Sequence, residues 1–268
     1  MSDFAIYIPT MGRVGKQDTL RELSRSATLI ANTFLVVPAS EFDTYDDEYG
    51  LDVDILSCPD NIKGICATRQ WIVDYTAYDN IFMLDDDMVF FKRIANSVKL
   101  EPCSPRQLEA MFFELSDWLD SMSFPVVGLS ARQGNNHVTE DYVEATRQMN
   151  FHGVNVEYFN RLDLRFDGME VMEDFHMLLD MLTQGQKNRV MYKYCWNQRG
   201  SGAKGGCSSY RDNALQTKCA NQLKKDYPDF VTVVEKKSKT GWEGMETRTD
   251  VRVQWKKAYH WGLENSIC

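Results

Sequence analysis

Short apolar runs alternate with helix-period segments through the first third of the chain. Phe4-Ala5-Ile6-Tyr7-Ile8-Pro9 is a strand-like run stopped by proline, and Thr10-Met11-Gly12-Arg13 follows as a turn. Residues 17–31 carry Leu20, Leu23, Ala27 and Ile30 at helical spacing. Phe34-Leu35-Val36-Val37 is a second strand ending at Pro38, and after an acidic segment at 41–48 Val53-Asp54-Ile55-Leu56 is a third. Such alternation predicts parallel βαβ units. Asn61 is positioned to cap a helix over about 63–76, with Ile65, Trp71, Ile72 and Tyr75 for packing. That helix leads into residues 80–91, an apolar β-favouring run that suits the buried centre of a sheet and reads as a strand ending in Asp85-Asp86-Asp87.

Further on, Leu108, Met111, Phe112, Leu115, Leu119 and Met122 form an apolar stripe that predicts a helix over 105–122. Val126 to Leu129 reads as a short strand, 130–150 as a polar loop, and the alternation of Val154, Val156 and Tyr158 as a half-buried strand. Val171, Phe175, Leu178 and Leu182 define the buried face of another helix. Residues 197–212 are glycine-rich and basic and match neither the P-loop nor the dinucleotide fingerprint, which predicts a loop able to close over phosphates or a plainly flexible one. A helix at 213–226, a strand at 230–235, the basic turn 236–239 and a strand near 250–255 complete the pattern. Neither a repeat nor a linker interrupts it, so one α/β domain is expected: a core over residues 1–186 and, as part of the same domain, a C-terminal extension over 187–268.

Charge sharpens that division. The net −9 is unevenly spread: residues 1–186 carry 14 Lys+Arg against 31 Asp+Glu, a net −17, while residues 187–268 carry 16 against 8, a net +8. A basic segment on an acidic protein suits either a polyanionic partner or an ordinary solvated surface. The seven cysteines include no C-x-x-C pair, which argues against a disulfide framework and a zinc site and for thiols in a reducing cytoplasm. No stretch of 18 apolar residues is present and the first twenty residues hold Asp3, Arg13, Lys16 and Asp18, so neither a membrane span nor a signal peptide is expected.

The candidate chemistry lies at Asp85-Asp86-Asp87. Three adjacent carboxylates repel one another unless a positive charge sits among them, and oxygen ligands suit a hard cation such as Mg²⁺ or Mn²⁺. The carboxyl end of a parallel strand is where α/β folds bind ligands. A solvated acidic turn is the alternative, but it needs no apolar run leading into it. Arg13 follows the first strand, and Arg69 rides the helix before the acidic strand. A second acidic pair, Glu173-Asp174, opens the later helix; helical phase turns Asp174 towards the cleft and Glu173 nearly away from it. Early helical acids also complement the helix dipole without further role.

Taken in this order, these residues resemble the GT-A glycosyltransferases, with Asp85-Asp86-Asp87 at the D-x-D motif and Glu173-Asp174 at the acceptor-side acid. More narrowly, Ile8-Pro9-Thr10-Met11-Gly12-Arg13, Ala67-Thr68-Arg69-Gln70 and Gly205-Gly206 with Tyr210-Arg211 are similar to phage glycosyltransferases that modify hydroxymethylated pyrimidines in DNA. Gln70 departs from the Asn that related enzymes often carry after the Arg. The resemblance implies a GT-A fold with a mostly parallel central sheet flanked by helices, a basic C-terminal extension, and a divalent cation, Mn²⁺ or Mg²⁺. It implies a nucleotide-sugar donor, a UDP-sugar first, touching Pro9, Thr10, Arg13, Arg69, Asp85, Asp86, Lys204 and Arg211. Asp87, with Asp85 and His260, would hold the metal, and Asp174 would be the general base of a single displacement with inversion. The implied acceptor is a hydroxymethylpyrimidine in DNA, with Lys204, Arg211, Lys236, Lys237 and Lys239 on a DNA-binding face. A protein, lipid or polysaccharide acceptor, a nucleotidyltransferase, or a non-catalytic nucleic-acid-binding module remain the rival expectations.

Overall fold

The computed structural model describes residues 4–198, 212–237 and 247–265. In the first quarter the apolar runs become the parallel strands β1 (Phe4–Pro9), β2 (Thr33–Pro38) and β3 (Asp54–Cys58), interleaved with α1 (Asp18–Leu23), α2 (Ala27–Ile30) and α3 (Phe42–Tyr49). The helix expected over 17–31 is thus two: Ser26 breaks it and caps the second piece, its Oγ accepting from Leu29 N at 3.1 Å. The acidic segment at 41–48 is itself helical because Tyr45 is fully buried. α4 (Ile65–Tyr75) starts at Gly64, whose φ of 84° is a conformation that favours glycine, so Asn61 lies ahead of the helix and does not cap it.

β4 (Asn80–Leu84) ends before the aspartates, and a new strand, β5 (Met88–Arg93), starts after them. The apolar run over 80–91 is therefore two strands around a tight acidic turn. β6 (Leu100–Pro102) pairs back on β5, and α5 (Pro105–Asp120) follows with a full capping box between Ser104 and Gln107. Next come β7 (Val126–Ala131), the one-turn α6 (Arg132–Asn135), β8 (Tyr142–Glu144), β9 (Phe151–Asn155), α7 (Val156–Arg161) and α8 (Glu173–Thr183). The strand expected around Val154 to Tyr158 stops at Asn155, whose side chain accepts from Tyr158 N at 2.8 Å and turns the chain into α7. β10 (Arg189–Gln198), α9 (Asn213–Asp226), β11 (Val231–Lys237), β12 (Thr247–Val253) and α10 (Trp255–Asn265) complete the described chain.

The large sheet runs β3-β2-β1-β4-β9-β7-β10-β5-β6, with β8 paired to β10, while β11 and β12 form a separate hairpin. Pairing is parallel from β3 to β4 and again between β7 and β10; β9, β5, β6 and β8 are antiparallel to their neighbours. One consequence is geometric. β4 and β5 are joined by Asp85, Asp86 and Asp87 alone, yet β9, β7 and β10 stand between them in the sheet. Four extended steps reach roughly 14 Å, whereas four strand spacings on a flat sheet span about 19 Å. The sheet must curl, and it curls around α5: Phe112 meets Phe82 of β4 at 5.2 Å and Phe90 of β5 at 6.5 Å between ring centroids. The cluster on the opposite face takes in α4 and α8, with α10 packed on α8 and α9 on the β11–β12 hairpin. β10, placed by sequence in the C-terminal extension, runs inside the large sheet.

Candidate active site at the Asp85–Asp87 turn

The turn is held from three sides. The first turn of α1 staples its backbone: Thr19 Oγ1 donates to Asp85 O at 2.5 Å and accepts from Met88 N at 2.9 Å, and Thr19 N donates to Asp86 O at 3.1 Å. The loop after β1 grips Asp86, whose Oδ2 accepts from Thr10 Oγ1 at 2.6 Å while Oδ1 pairs with the Arg13 guanidinium. Gln17 Nε2 and the Tyr45 hydroxyl, at 2.8 and 3.3 Å, complete the partners of Thr10. From the third side come Arg69 of α4, 2.6 Å from Asp85 Oδ1, and Asn150, whose amide donates to Asp85 Oδ2 at 2.5 Å. Asn150 has φ +64°, a left-handed conformation that Asn tolerates better than most residues.

Asp87 is the least engaged of the three carboxylates. Its Oδ1 accepts from Gln198 Nε2 at 2.9 Å, at the end of β10, and its Oδ2 is 3.5 Å from Arg13. Burial raises all three aspartates above the ordinary carboxylate range, Asp85 to about 6 despite the pull of Arg69. Burial works against the charge of Arg13, but Asp86 and Asp87 more than restore it and its pKa is raised.

Arg69 ties this turn to the later acidic pair. Its guanidinium is shared between Asp85 and Glu173, the first residue of α8, so Glu173 is a buried partner of the site and does not turn away from it. The phase argument fails because α8 is buried on nearly every side, with Met177, Leu178, Leu179, Met181 and Leu182 all enclosed. Asp174 is beside it, and its carboxyl is raised to about 7 by burial and then by Glu173, with Arg147 and Arg69 pulling the other way. His152, on β9 next to Met83, is kept neutral by burial and by Arg69. Gln70 is structural: its Oε1 accepts from Phe166 N at 2.9 Å and its amide donates to Asp74.

The remaining expected site residues fall elsewhere. Pro9 ends β1 directly before Thr10. His260 is exposed on α10, two residues before Gly262, whose Cα lies against the backbone of Leu182 to Gly185, so it sits by the far end of α8 from Asp174 and is not brought to the carboxylates. Lys204 and Arg211 lie outside the described residues, as does Lys239. Lys236 is paired with Asp250 at 2.8 Å. Thr19, Asn150 and Gln198 were not singled out by sequence, and Glu173 was named there but turned away from the cleft; of the three, only Asn150, an Asn before a strand, carried any local signal.

The donor set is all hard oxygen, and Asp85, Asp86, Asp87, Glu173 and Asp174 outweigh Arg13 and Arg69 in charge. A divalent cation fits such a site chemically. Among the described residues, however, no group of three His, Cys, Asp or Glu stands together as a ready-made metal cage. Both oxygens of Asp85 are already bonded, which leaves Asp87 as the residue that could hold a cation, and Mg²⁺ is usually held by one or two carboxylates together with a substrate's phosphates.

This architecture is shared with solved glycosyltransferases. The structure resembles Staphylococcus aureus TarS 1–349 in complex with UDP-GlcNAc (TM-score 0.55, 10% identity, 85% of this chain and 67% of that one). It also resembles the mannosyltransferase PcManGT of Pyrobaculum calidifontis with GDP-Man and Mn²⁺ (TM-score 0.53, 10% identity, 84% and 64%). The fold is thus the GT-A glycosyltransferase fold, with an acidic turn directly after β4. More particularly, the family model of the TET-associated glycosyltransferases matches residues 4–206, and the chain belongs to that family. It is 27% identical over 205 residues to the beta-glucosyl-HMC-alpha-glucosyl-transferases of enterobacteria phages T6 and T2, covering 73% of this chain and 72% of each relative. Among the described residues no helix is long and apolar enough to cross a membrane.

Proposed function

We propose that this enzyme moves a sugar from a nucleotide-sugar, a UDP-sugar first, to the hydroxyl of a hydroxymethylpyrimidine base in DNA, with inversion. The observation that carries the mechanism is the single Arg69 guanidinium shared by Asp85 and Glu173: it links the carboxylates suited to a donor to the helix start that presents Asp174. Arg13 and Arg69 orient the donor's phosphates. Asp87 would hold a divalent cation, and a cation there supplies neutralisation of the departing diphosphate. Asp174 takes the acceptor hydroxyl's proton as that oxygen attacks the anomeric carbon from the face opposite the leaving group. A base with a carboxyl near pH 7 is well matched to that transfer.

The phage relatives' names support DNA as the acceptor and specify a base that already carries one glucose; they also name an alpha-glucosyl product, which an α-linked UDP-glucose gives by retention, so an α-linked product here overturns the inversion and a β-linked one supports it. A nucleotide-release assay tests the reading: UDP-glucose and GDP-mannose are offered with duplex DNA containing cytosine, hydroxymethylcytosine or glucosylated hydroxymethylcytosine. Release of nucleotide that depends on a modified base supports the proposal. Release that is equally fast with unmodified DNA or without DNA overturns the acceptor assignment. Mass analysis of the DNA then reports the added hexose.

A further inference from the structure

Near Phe175, at the start of α8, the surface opens into a groove of about 390 Å³ lined by Ala145, Thr146, Gln254 and the first turn of α10, Trp255, Lys256 and Lys257. The groove is joined to the catalytic side by an aromatic bridge. Phe175, the residue after Asp174, packs its ring against Trp255 with centroids 5.4 Å apart. Arg147, next to Thr146, lays its exposed guanidinium over that same Phe175 ring at 5.0 Å. Arg147 also stabilises the charged form of Asp174, so the cation that caps the Phe175 ring acts on the candidate base as well.

Cations dominate this mouth. Lys256 and Lys257 are exposed, and Lys257 spends one of its three donors on Asp229 O at 3.0 Å. The anion near Lys256 is Glu140, itself fully exposed. By contrast Lys236, on β11, is already neutralised by Asp250, which Arg248 also approaches at 3.4 Å. The hairpin's Lys236 and Arg248 thus share one buried carboxylate, whereas Lys256 and Lys257 make no ion pair among the described residues.

We propose that this groove seats the phosphodiester backbone of the acceptor DNA next to the target base, with Arg147, Lys256 and Lys257 as the phosphate contacts. The inference rests on the DNA-acceptor reading and adds the surface that reading lacks. A guanidinium flattened on an aromatic ring loses little freedom when it meets a phosphate, and its seat on Phe175, the residue after Asp174, would set the register of the strand against the target base.

The test is the salt dependence of binding to a fluorescein-labelled duplex containing hydroxymethylcytosine, read by anisotropy. Each phosphate contact contributes about 0.9 to the slope of log K against log salt, so the Arg147→Gln/Lys256→Gln/Lys257→Gln variant should flatten it by roughly 2 to 3. Should the triple variant fail to fold, the Lys256→Gln/Lys257→Gln pair, on an exposed surface, should flatten it by up to about 2. A wild-type slope in these variants, with a flattened one in Lys236→Gln/Lys237→Gln, overturns the groove and leaves DNA as the acceptor. A wild-type enzyme without DNA affinity at low salt overturns both the groove and the acceptor reading on which it rests.

Discussion

Glu173 and Asp174 are neighbours in sequence with divided labour. Glu173 is locked to Arg69, while Asp174 is the residue whose proton affinity is raised, by burial and by Glu173 itself. Asp174→Asn should lower kcat by on the order of 10² or more, as for a lost general base, with donor affinity little changed. A carboxyl raised in the folded state stabilises the protein below its unfolded pKa and forfeits that contribution as pH rises through about 7. Asp174→Asn cannot ionise, so its melting temperature should exceed that of the wild type at pH 8 and converge with it near pH 4, measured calorimetrically without ligands. Glu173→Gln removes the like charge and should shift the acid limb of the wild-type pH–rate profile to lower pH. A limb that stays put would show that Glu173 does not set the affinity of Asp174. At this scale the three aspartates, Arg13 and Arg69 were legible because a charged residue directly after an apolar run or in the adjoining turn is a local pattern. Thr19, Asn150 and Gln198 were not, and Glu173 was named but turned away from the cleft, because each is recruited by contacts far along the chain.

The elements that failed to announce themselves are those whose shape is set by neighbours. β10 pairs with β7 at Arg189 to Met191, then again at Cys195 and Trp196, with a register shift between the two stretches. That irregularity is filled by the side chain of Asn135, fully buried, whose amide donates to Tyr192 O and to Ser130 Oγ, each at 2.7 Å, while Ser130 Oγ donates to Tyr194 O at 3.1 Å. No periodicity survives a bulge held this way, and the polar residues at 130–150 read as loop for the same reason. Replacing Asn135 by Ala leaves the Tyr192 carbonyl without that partner in a dry setting. Stability should fall by about 1–3 kcal/mol in a urea titration, and donor binding should weaken as Gln198 loses its seat beside Asp87. A variant as stable as the wild type would mean that the irregularity is not held by Asn135. Helices 105–122 and 213–226, by contrast, were read nearly to the residue, the first because an apolar stripe is a short-range signal.

Across the whole molecule the acidic turn is an intersection. It joins two strands that the curled sheet holds three strands apart, and it collects Thr10 and Arg13 from the first loop, Arg69 from α4, Asn150 from before β9 and Gln198 from the end of β10. The excess of carboxylates over guanidiniums there predicts that EDTA abolishes transfer and that added Mn²⁺ or Mg²⁺ restores it. Asp87→Asn should abolish turnover without lowering the melting temperature, and full activity in excess chelator would remove the cation from the proposal. A division at residue 186 separates β10 from its partners β7 and β5, so a fragment ending there should bind no nucleotide-sugar in a calorimetric titration. The same geometry has a temporal side. At roughly 5–20 residues per second, synthesis delivers the aspartates about 5–20 s before the last strand that must lie between β4 and β5. Throughout that interval the nascent chain displays its acidic triplet with no frame to bend it, so donor binding becomes possible only after most of the polypeptide has been made.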